Sequence, residues 1–292
     1  GAVWPFVTGF VIWGQYNYRR PWSGYPLIDA LKQVTFDWAR GRHPELLSGR
    51  YYRPLDTAVP QQFFATSMLV SPIVSGMLGW EPNAPGGSAQ LAPQLPPHWD
   101  RVTVRSLKVG TTSLDVEIEQ GPGRLDVHVH RRGPPIDLTV VGAAPPGAQD
   151  FSHEQTARSL EAETSSVPES ASSSRGLVIE SRGRLQDEDS SFRYRWTGGL
   201  AVVPPTVALE PGQPSRGIRV LDFTADASSR EWQLTLEGEG GRTDSLDLYG
   251  EPVSAVEGAR VVAREGARTT IAIRWPQEAR RTTRTIRLLA TP

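Results

Sequence analysis

Chemistry needs groups that can take or give protons, and the first place this chain offers one in suggestive company is "HPELLSGRYYRP", residues 43–54. Glu45 sits there with His43, Arg50, Arg53, Tyr51 and Tyr52, in a connection of about twenty residues between two apolar segments, far longer than most connections in compact domains. A carboxylate among aromatic rings suits sugar chemistry. Glycoside hydrolysis uses two carboxyl groups, one to protonate the leaving oxygen and one as base or nucleophile. Aromatic faces and a few polar groups hold the sugar ring. The plain alternative is a solvated loop carboxylate, or a partner for Arg42, Arg50 or Arg53. Asp56 is a weaker candidate, and Asp29 and Asp37 read as exposed-face residues of a helix.

Other constellations offer less. His128 and His130 alternate on a strand and share a face, but no third ligand has suitable spacing, so no metal site is expected. "GEGGR" at 238–242 follows a strand and opens no helix, so it reads as a turn rather than a phosphate loop. Ser67 and Ser71 have no nearby histidine or strained elbow. Trp196, Trp232 and Trp275 fit core packing on alternating strands better than a sugar platform. No cofactor is expected.

The elements that must position Glu45 fall in two halves. Of 24 aromatic residues (9 Trp, 7 Tyr and 8 Phe), 15 lie between Trp4 and Trp80. Here "WPFVTGFVIWGQYNY" has apolar residues at Val7, Phe10, Val11, Gly14 and Tyr18, at helical spacing. "YPLIDALKQVTFDWARG" is the clearest helix, with Leu27, Leu31, Val34 and Trp38 on one stripe, Pro26 at the first position and Gly41 as the stop. A third helix is predicted over residues 61–78, kinked at Pro72 and stopped by Gly79. All three are apolar over much of their circumference, so they should pack on both sides within a larger helical array.

The period changes near Pro85. "EPNAPGGSAQLAPQLPPHWD" reads as a linker. After it, short alternating runs with Gly-rich turns predict an antiparallel β-sandwich, jelly-roll-like, over 87–292. The Ser- and Glu-rich stretch at 159–175 is expected to be a flexible loop. Helices at 1–86 followed by this β region make a multidomain α+β protein.

The formal net charge is −1 over 292 residues, which gives no electrostatic footprint for nucleic acid. There is no cysteine, hence no disulfide, thiolate metal site or cysteine nucleophile. No apolar run is long enough to span a bilayer. Compartment and oligomeric state stay open, with a periplasmic or secreted location favoured over a cytoplasmic one. The chain opens at Gly1 inside an apolar pattern, and the expectation is a C-terminal piece of a longer protein.

Four stretches, "GAVWPFVTGF", "HPELLSG", "QQFFATS" and the run from "GWEPNAPGG" to "LDVEI", resemble in order and approximate spacing the C-terminal end of glycogen-debranching, amylo-α-1,6-glucosidase-like glycoside hydrolases. The resemblance covers roughly residues 1–120. It implies that the three helices are the last of a catalytic (α/α)6 toroid and that Glu45 is the general base of an inverting mechanism. It also implies that the general acid lies on an earlier helix outside this sequence, so this chain alone would be inactive. Trp4 falls on a segment whose Trp lines the sugar pocket, and Gln62 and Phe64 approximate the family's Gln-x-aromatic element. With Tyr51 and Tyr52 they would bind an oligo- or polysaccharide, an α-glucan or a relative. The chain departs from the family after Val3-Trp4-Pro5, with Phe6-Val7 where His-Asp is common. Rhamnosidases and processing glucosidases share the toroid-then-β arrangement. Two alternatives stand beside this reading. One is a non-catalytic carbohydrate-binding or cell-surface module. The other is a different toroid enzyme, such as a rhamnosidase-like hydrolase or a polysaccharide lyase; in a lyase, Tyr51 or Tyr52 and His43 would carry the acid–base work.

Overall fold

A computed structural model describes residues 1–38, 40–159, 176–226, 230–277 and 280–291. The stretch predicted as a flexible loop at 159–175 lies outside these, apart from the backbone of Ser159.

The chain opens with a two-residue strand, β1 (Ala2–Val3), and then α1 (Pro5–Asn17) and α2 (Pro21–Asp37). A second short strand, β2 (Leu47–Ser48), precedes α3 (Phe63–Pro72). Each of α1 and α2 starts on a proline, whose missing N–H is one that a first turn leaves unpaired. Helix α2 therefore begins at Pro21, five residues before the expected Pro26, which lies inside it. Pro26 removes only one internal hydrogen bond there, at the edge of the first turns. Pro72 acts as expected: beyond it the chain widens into a π-turn over Ile73–Met77 before Gly79 reverses it at φ +60°.

Helix α1 buries a different stripe from the one expected. Pro5, Gly9, Ile12 and Tyr16 face inward, while Val7, Phe10, Val11 and Tyr18 are exposed. Gly9 decides this, because a Cβ there would sit 2.4 Å from the Cβ of Met68, so α1 and α3 meet backbone to backbone. The helix is apolar all round and finds a partner for only one side among the described residues.

The predicted linker is structure. β3 (Glu81–Asn83) and β4 (Ser88–Leu91) form a hairpin, and β4 runs parallel to β8 with Ala89 and Leu91 buried. Burial of Ala89 and Leu91 on one face carries that pairing; Pro85, Gly86 and Gly87 make the turn, and Pro82 lies in β3, an edge strand of its sheet.

Then follow β5 (Arg101–Val109), β6 (Thr112–Gly121), β7 (Arg124–Arg132), β8 (Ile136–Ala143), β9 (Ala148–Gln155), β10 (Arg158–Ser159), β11 (Val178–Leu185) and β12 (Asp189–Gly198). They build two sheets, β10-β11-β8-β4-β3 and β5-β6-β7-β12-β9. The inward residues of both, among them Leu114, Val127, Leu138, Val140, Phe192 and Tyr194, make one core that also takes in Ile12, Tyr16 and Leu31 from the helices.

The remaining strands are β13 (Leu200–Val203), β14 (Arg219–Asp226), β15 (Glu231–Glu239), β16 (Thr243–Gly250), β17 (Val253–Glu257), β18 (Arg260–Glu265), β19 (Arg268–Arg274) and β20 (Arg281–Ala290). They form the sheets β13-β16-β19-β18 and β14-β15-β20-β17 around a second core, with Phe223, Trp232, Leu248, Ile271 and Trp275 at its centre and Trp22 of α2 at its edge. The β region is thus two layered units on separate cores, mostly antiparallel, rather than one. Trp232 and Trp275 are 1% exposed, and their indole N–H groups donate to the Pro146 carbonyl at 2.9 Å and to Asp244 at 2.7 Å. They pack cores, as their positions on alternating strands suggested. The "GEGGR" stretch is the β15–β16 turn. No helix among the described residues is long and apolar enough to cross a membrane.

Candidate functional site

The long connection around Glu45 is a folded-back loop, fastened rung by rung. The Gln62 N–H donates to the His43 carbonyl at 2.9 Å, Glu45 N–H to Val59 at 2.8 Å, Leu55 N–H to Leu46 at 3.1 Å, and Ser48 N–H to Arg53 at 2.9 Å. Its near arm pairs with the N-terminal strand, Val3 opposite Leu47 and Ala2 opposite Ser48. Glu45 is therefore bracketed two residues to either side: His43 fixes it to the start of α3, and Leu47 fixes it to the strand that leads into Trp4.

His43 is the buried anchor of this arrangement, only 1% exposed. Its Nδ1 lies 2.9 Å from the Ala65 carbonyl and its Nε2 2.8 Å from the Thr35 hydroxyl, while its backbone N–H donates to Thr66 Oγ1 at 3.1 Å. A carbonyl can only accept, so Nδ1 carries the proton and the neutral ring receives the Thr35 hydroxyl at Nε2. Burial pulls the His43 pKa below the usual histidine value; the bonds to Ala65 and Leu31 carbonyls oppose that shift without cancelling it. The side chain holds α2, the loop and α3 together.

The Glu45 carboxylate is half-buried and accepts a hydrogen bond from the Val59 N–H at 3.2 Å. Arg42, Arg50 and Arg53 are all described, and none forms an ion pair with it: Arg42 donates to Gln61, and Arg50 stands 5.1 Å from the Tyr51 ring centre. A carboxylate with free lone pairs and no cation on it is able to accept a proton from an incoming water.

Trp4, Gln62 and Phe64 come together on the two elements to which this loop is paired. The Trp4 indole N–H donates to Gln62 Oε1 at 3.1 Å. Phe6 is the hub of a ring cluster, with centroids 5.8 Å from Trp4, 5.1 Å from Phe10 and 5.9 Å from Phe64. Trp4, Phe10, Phe63 and Phe64 all stay exposed, Phe63 at 81%. Phe6, noted in the sequence only as a departure, is the residue that organises these rings; its helical spacing from Phe10 was the available signal.

Tyr51 and Tyr52 lie elsewhere. Tyr52 turns toward α2, its hydroxyl donating to Asp37 at 2.9 Å and its ring 4.7 Å from Trp38. Burial and the Asp37 carboxylate push its pKa far up, so the phenol stays protonated. Its backbone exchanges hydrogen bonds with Gln213 and Gly212, tethering the loop to the segment before β14. Tyr51 is partly exposed and packs on Arg50. Among the described residues, no ring contact or side-chain hydrogen bond joins either ring to the Trp4–Phe64 cluster.

His130 Nδ1 pairs with Asp189 at 2.9 Å, and no group of three metal-binding side chains occurs among the described residues.

No curated protein matches this chain. Among solved structures, it has some likeness to the uncharacterized protein lmo2446 from Listeria monocytogenes EGD-e, with 9% identity, a TM-score of 0.24, and 70% of this chain against 20% of that one. The chain thus spans about a fifth of that protein's length. The family comparison reaches the first β unit: residues 84–144, from the β3–β4 hairpin to the end of β8, match the model "Glycosyl hydrolase family 65, C-terminal domain", a domain of a carbohydrate-active enzyme family.

Proposed function

We propose that this chain is the C-terminal part of a glycoside hydrolase acting on an α-glucan or related oligosaccharide, with Glu45 as the general base. In this reading α1, α2 and α3 are the last helices of an (α/α)6 toroid, residues 1–86, and the general acid sits on a helix outside this sequence. Residues 87–292 would cap the toroid. The carrying observation is that the half-buried Glu45 carboxylate, with no ion pair among the described residues, sits on a loop whose backbone is paired to the strand before Trp4 and to Gln62, the residues that hold the Trp4–Phe6–Phe64 ring cluster. The exposed side of α1 and α3 (Val7, Phe10, Val11, Phe63 and Val70) supports the same reading, since it is the face that further toroid helices and a sugar ring would cover. The match of residues 84–144 to a family 65 domain supports a carbohydrate substrate.

In the mechanism, the acid protonates the departing glycosidic oxygen while Glu45 takes a proton from water attacking the opposite face of the anomeric carbon. That geometry needs about 6.5–9.5 Å between the two carboxyl groups. Trp4 supplies a ring face for the sugar, and its bond to Gln62 fixes that face in place.

The test is Glu45→Gln in the full-length enzyme. Loss of the base should lower kcat by about 10²–10⁴-fold with KM little changed. Near-normal turnover would remove Glu45 from the mechanism. Family 65 also includes phosphorylases; if turnover required inorganic phosphate, phosphate rather than water would be the attacking group, and Glu45 would not be needed as a base.

A further inference from the structure

A wide cleft lies away from Glu45, where the N-terminal end of α2, the proline-rich segment before β5 and both β units meet. It has a volume of about 710 Å³, and none of Trp4, Glu45, Gln62 or Phe64 lines it. Sites for small organic ligands run to about 300–1,000 Å³ and combine apolar walls with a few fixed polar groups.

The walls suit one chemistry. Tyr25, His98, Trp196 and Tyr249 all line the cleft. His98 is central, with ring centroids 5.5 Å from Tyr25 and 6.4 Å from Tyr249, and its Nε2 is 3.4 Å from the Tyr25 hydroxyl. Trp196 comes from the end of β12, held edge-on to Phe151 at 5.8 Å. These are flat apolar faces with polar rims. Arg19, Arg124 and Arg268 are balanced by Asp100, Glu251 and Glu265, so the lining carries no net charge apart from His98. Burial lowers the His98 pKa, which favours its neutral form.

Nine prolines line the cleft, from Pro21 to Pro252. They fix the backbone and contribute carbonyl acceptors with no N–H donors. The backbone behind the lining residues Pro146 and Gly199 is tight as well. Gly147 and Gly199 hold φ of +84° and +83°, and a Cβ on Gly147 would sit 2.7 Å from the Trp232 indole nitrogen. Leu200 N–H and the Trp232 indole both donate to the Pro146 carbonyl, at 3.0 and 2.9 Å. Such a cleft is rigid before any ligand arrives, which lowers the entropic cost of binding.

We propose that this junction cleft is a second saccharide site, taking a neutral oligosaccharide whose C–H faces lie on the aromatic rings and whose hydroxyls donate to the acceptor-rich walls. It would hold a chain of sugars away from the Glu45 surface, and it stands independently of the role given to Glu45.

Isothermal titration of the chain with maltohexaose and cellohexaose, with a heparin-derived hexasaccharide as the charged comparison, tests this. At least one neutral probe should bind with Kd of about 1 mM or tighter, and His98→Ala and Tyr249→Ala should each weaken it about tenfold. Phe36→Ala, an exposed ring outside both sites, should leave this binding unchanged. His98 is exposed, so its variant should keep the fold, and it decides the matter if Tyr249→Ala does not fold. Absence of binding by both neutral probes at about 10 mM would overturn the proposal. So would a preference for the charged probe, or binding lost on Trp4→Ala and kept in His98→Ala.

Discussion

His43→Leu removes the imidazole that holds the Glu45 loop and leaves a side chain of comparable bulk. Two side-chain hydrogen bonds are lost, to the Ala65 carbonyl and to the Thr35 hydroxyl. Each is worth about 1 kcal/mol, and a buried partner left unpaired adds about 1–3 kcal/mol. The Thr35 hydroxyl then turns its single proton to the Leu31 carbonyl at 2.9 Å, so the Ala65 carbonyl is the group that loses a donor. The sum is about 3 kcal/mol, which acts locally on the loop and the start of α3. Hydrogen exchange followed by mass spectrometry should show protection in peptides covering residues 43–48 and 61–66 fall about 100-fold, while peptides from β15 and β20 keep theirs. The same histidine makes the loop sensitive to pH. Its folded pKa lies below the unfolded value of 6.5, so the unfolded state binds more protons as pH falls. The stability it contributes is complete above about pH 6.5 and is lost below it, with a slope of at most about 1.4 kcal/mol per pH unit. His98 has the same sign of shift, so the pH series belongs in a His98→Asn background. Less than about threefold change in loop exchange for His43→Leu, or loop protection independent of pH between 7 and 5 in the His98→Asn background, would refute this account of His43.

Two further outcomes follow from the packing. Gly142→Ala places a Cβ 2.3 Å from the Tyr194 ring, which is fully buried and tied by its hydroxyl to the Val140 carbonyl at 3.0 Å. It should cost about 3 kcal/mol and lower the melting temperature of the first β unit, and a melt matching the parent would show that the ring can retreat. Tyr52→Phe deletes the bond to Asp37 while keeping the contact with Trp38, so it should loosen the loop by about 1 kcal/mol in the same exchange experiment, with no change at Glu45. Equal loosening at residues 61–66 would mean that Tyr52, and not His43, fastens the base of the loop.

Periodicity and breakers reached a long way into this molecule. Three helices, the disturbance at Pro72, the stop at Gly79, the strands after residue 100 and the core tryptophans Trp232 and Trp275 are local consequences of residue type and order. The aromatic loop around Glu45 was legible for the same reason, because composition and length are written along the chain. Long-range placement was not. That α1 buries Gly9 and Ile12 rather than Val7 and Phe10 follows from a close approach to Met68, and a helix apolar on every side gives no hint of which side meets its neighbour. The stretch after Glu81 reads as a linker until β8 lies beside it, since a short strand takes its partners from elsewhere. The β region divides into two cores because inward residues of distant strands choose between them, a choice that alternation alone does not encode. Around Glu45, the family resemblance implied Trp4, Gln62 and Phe64, and the loop's composition supplied Tyr51 and Tyr52. The tertiary structure keeps the first three together through α1 and α3 and turns Tyr52 to Asp37, and it leaves the carboxylate without an arginine because Arg42 and Arg50 find nearer partners.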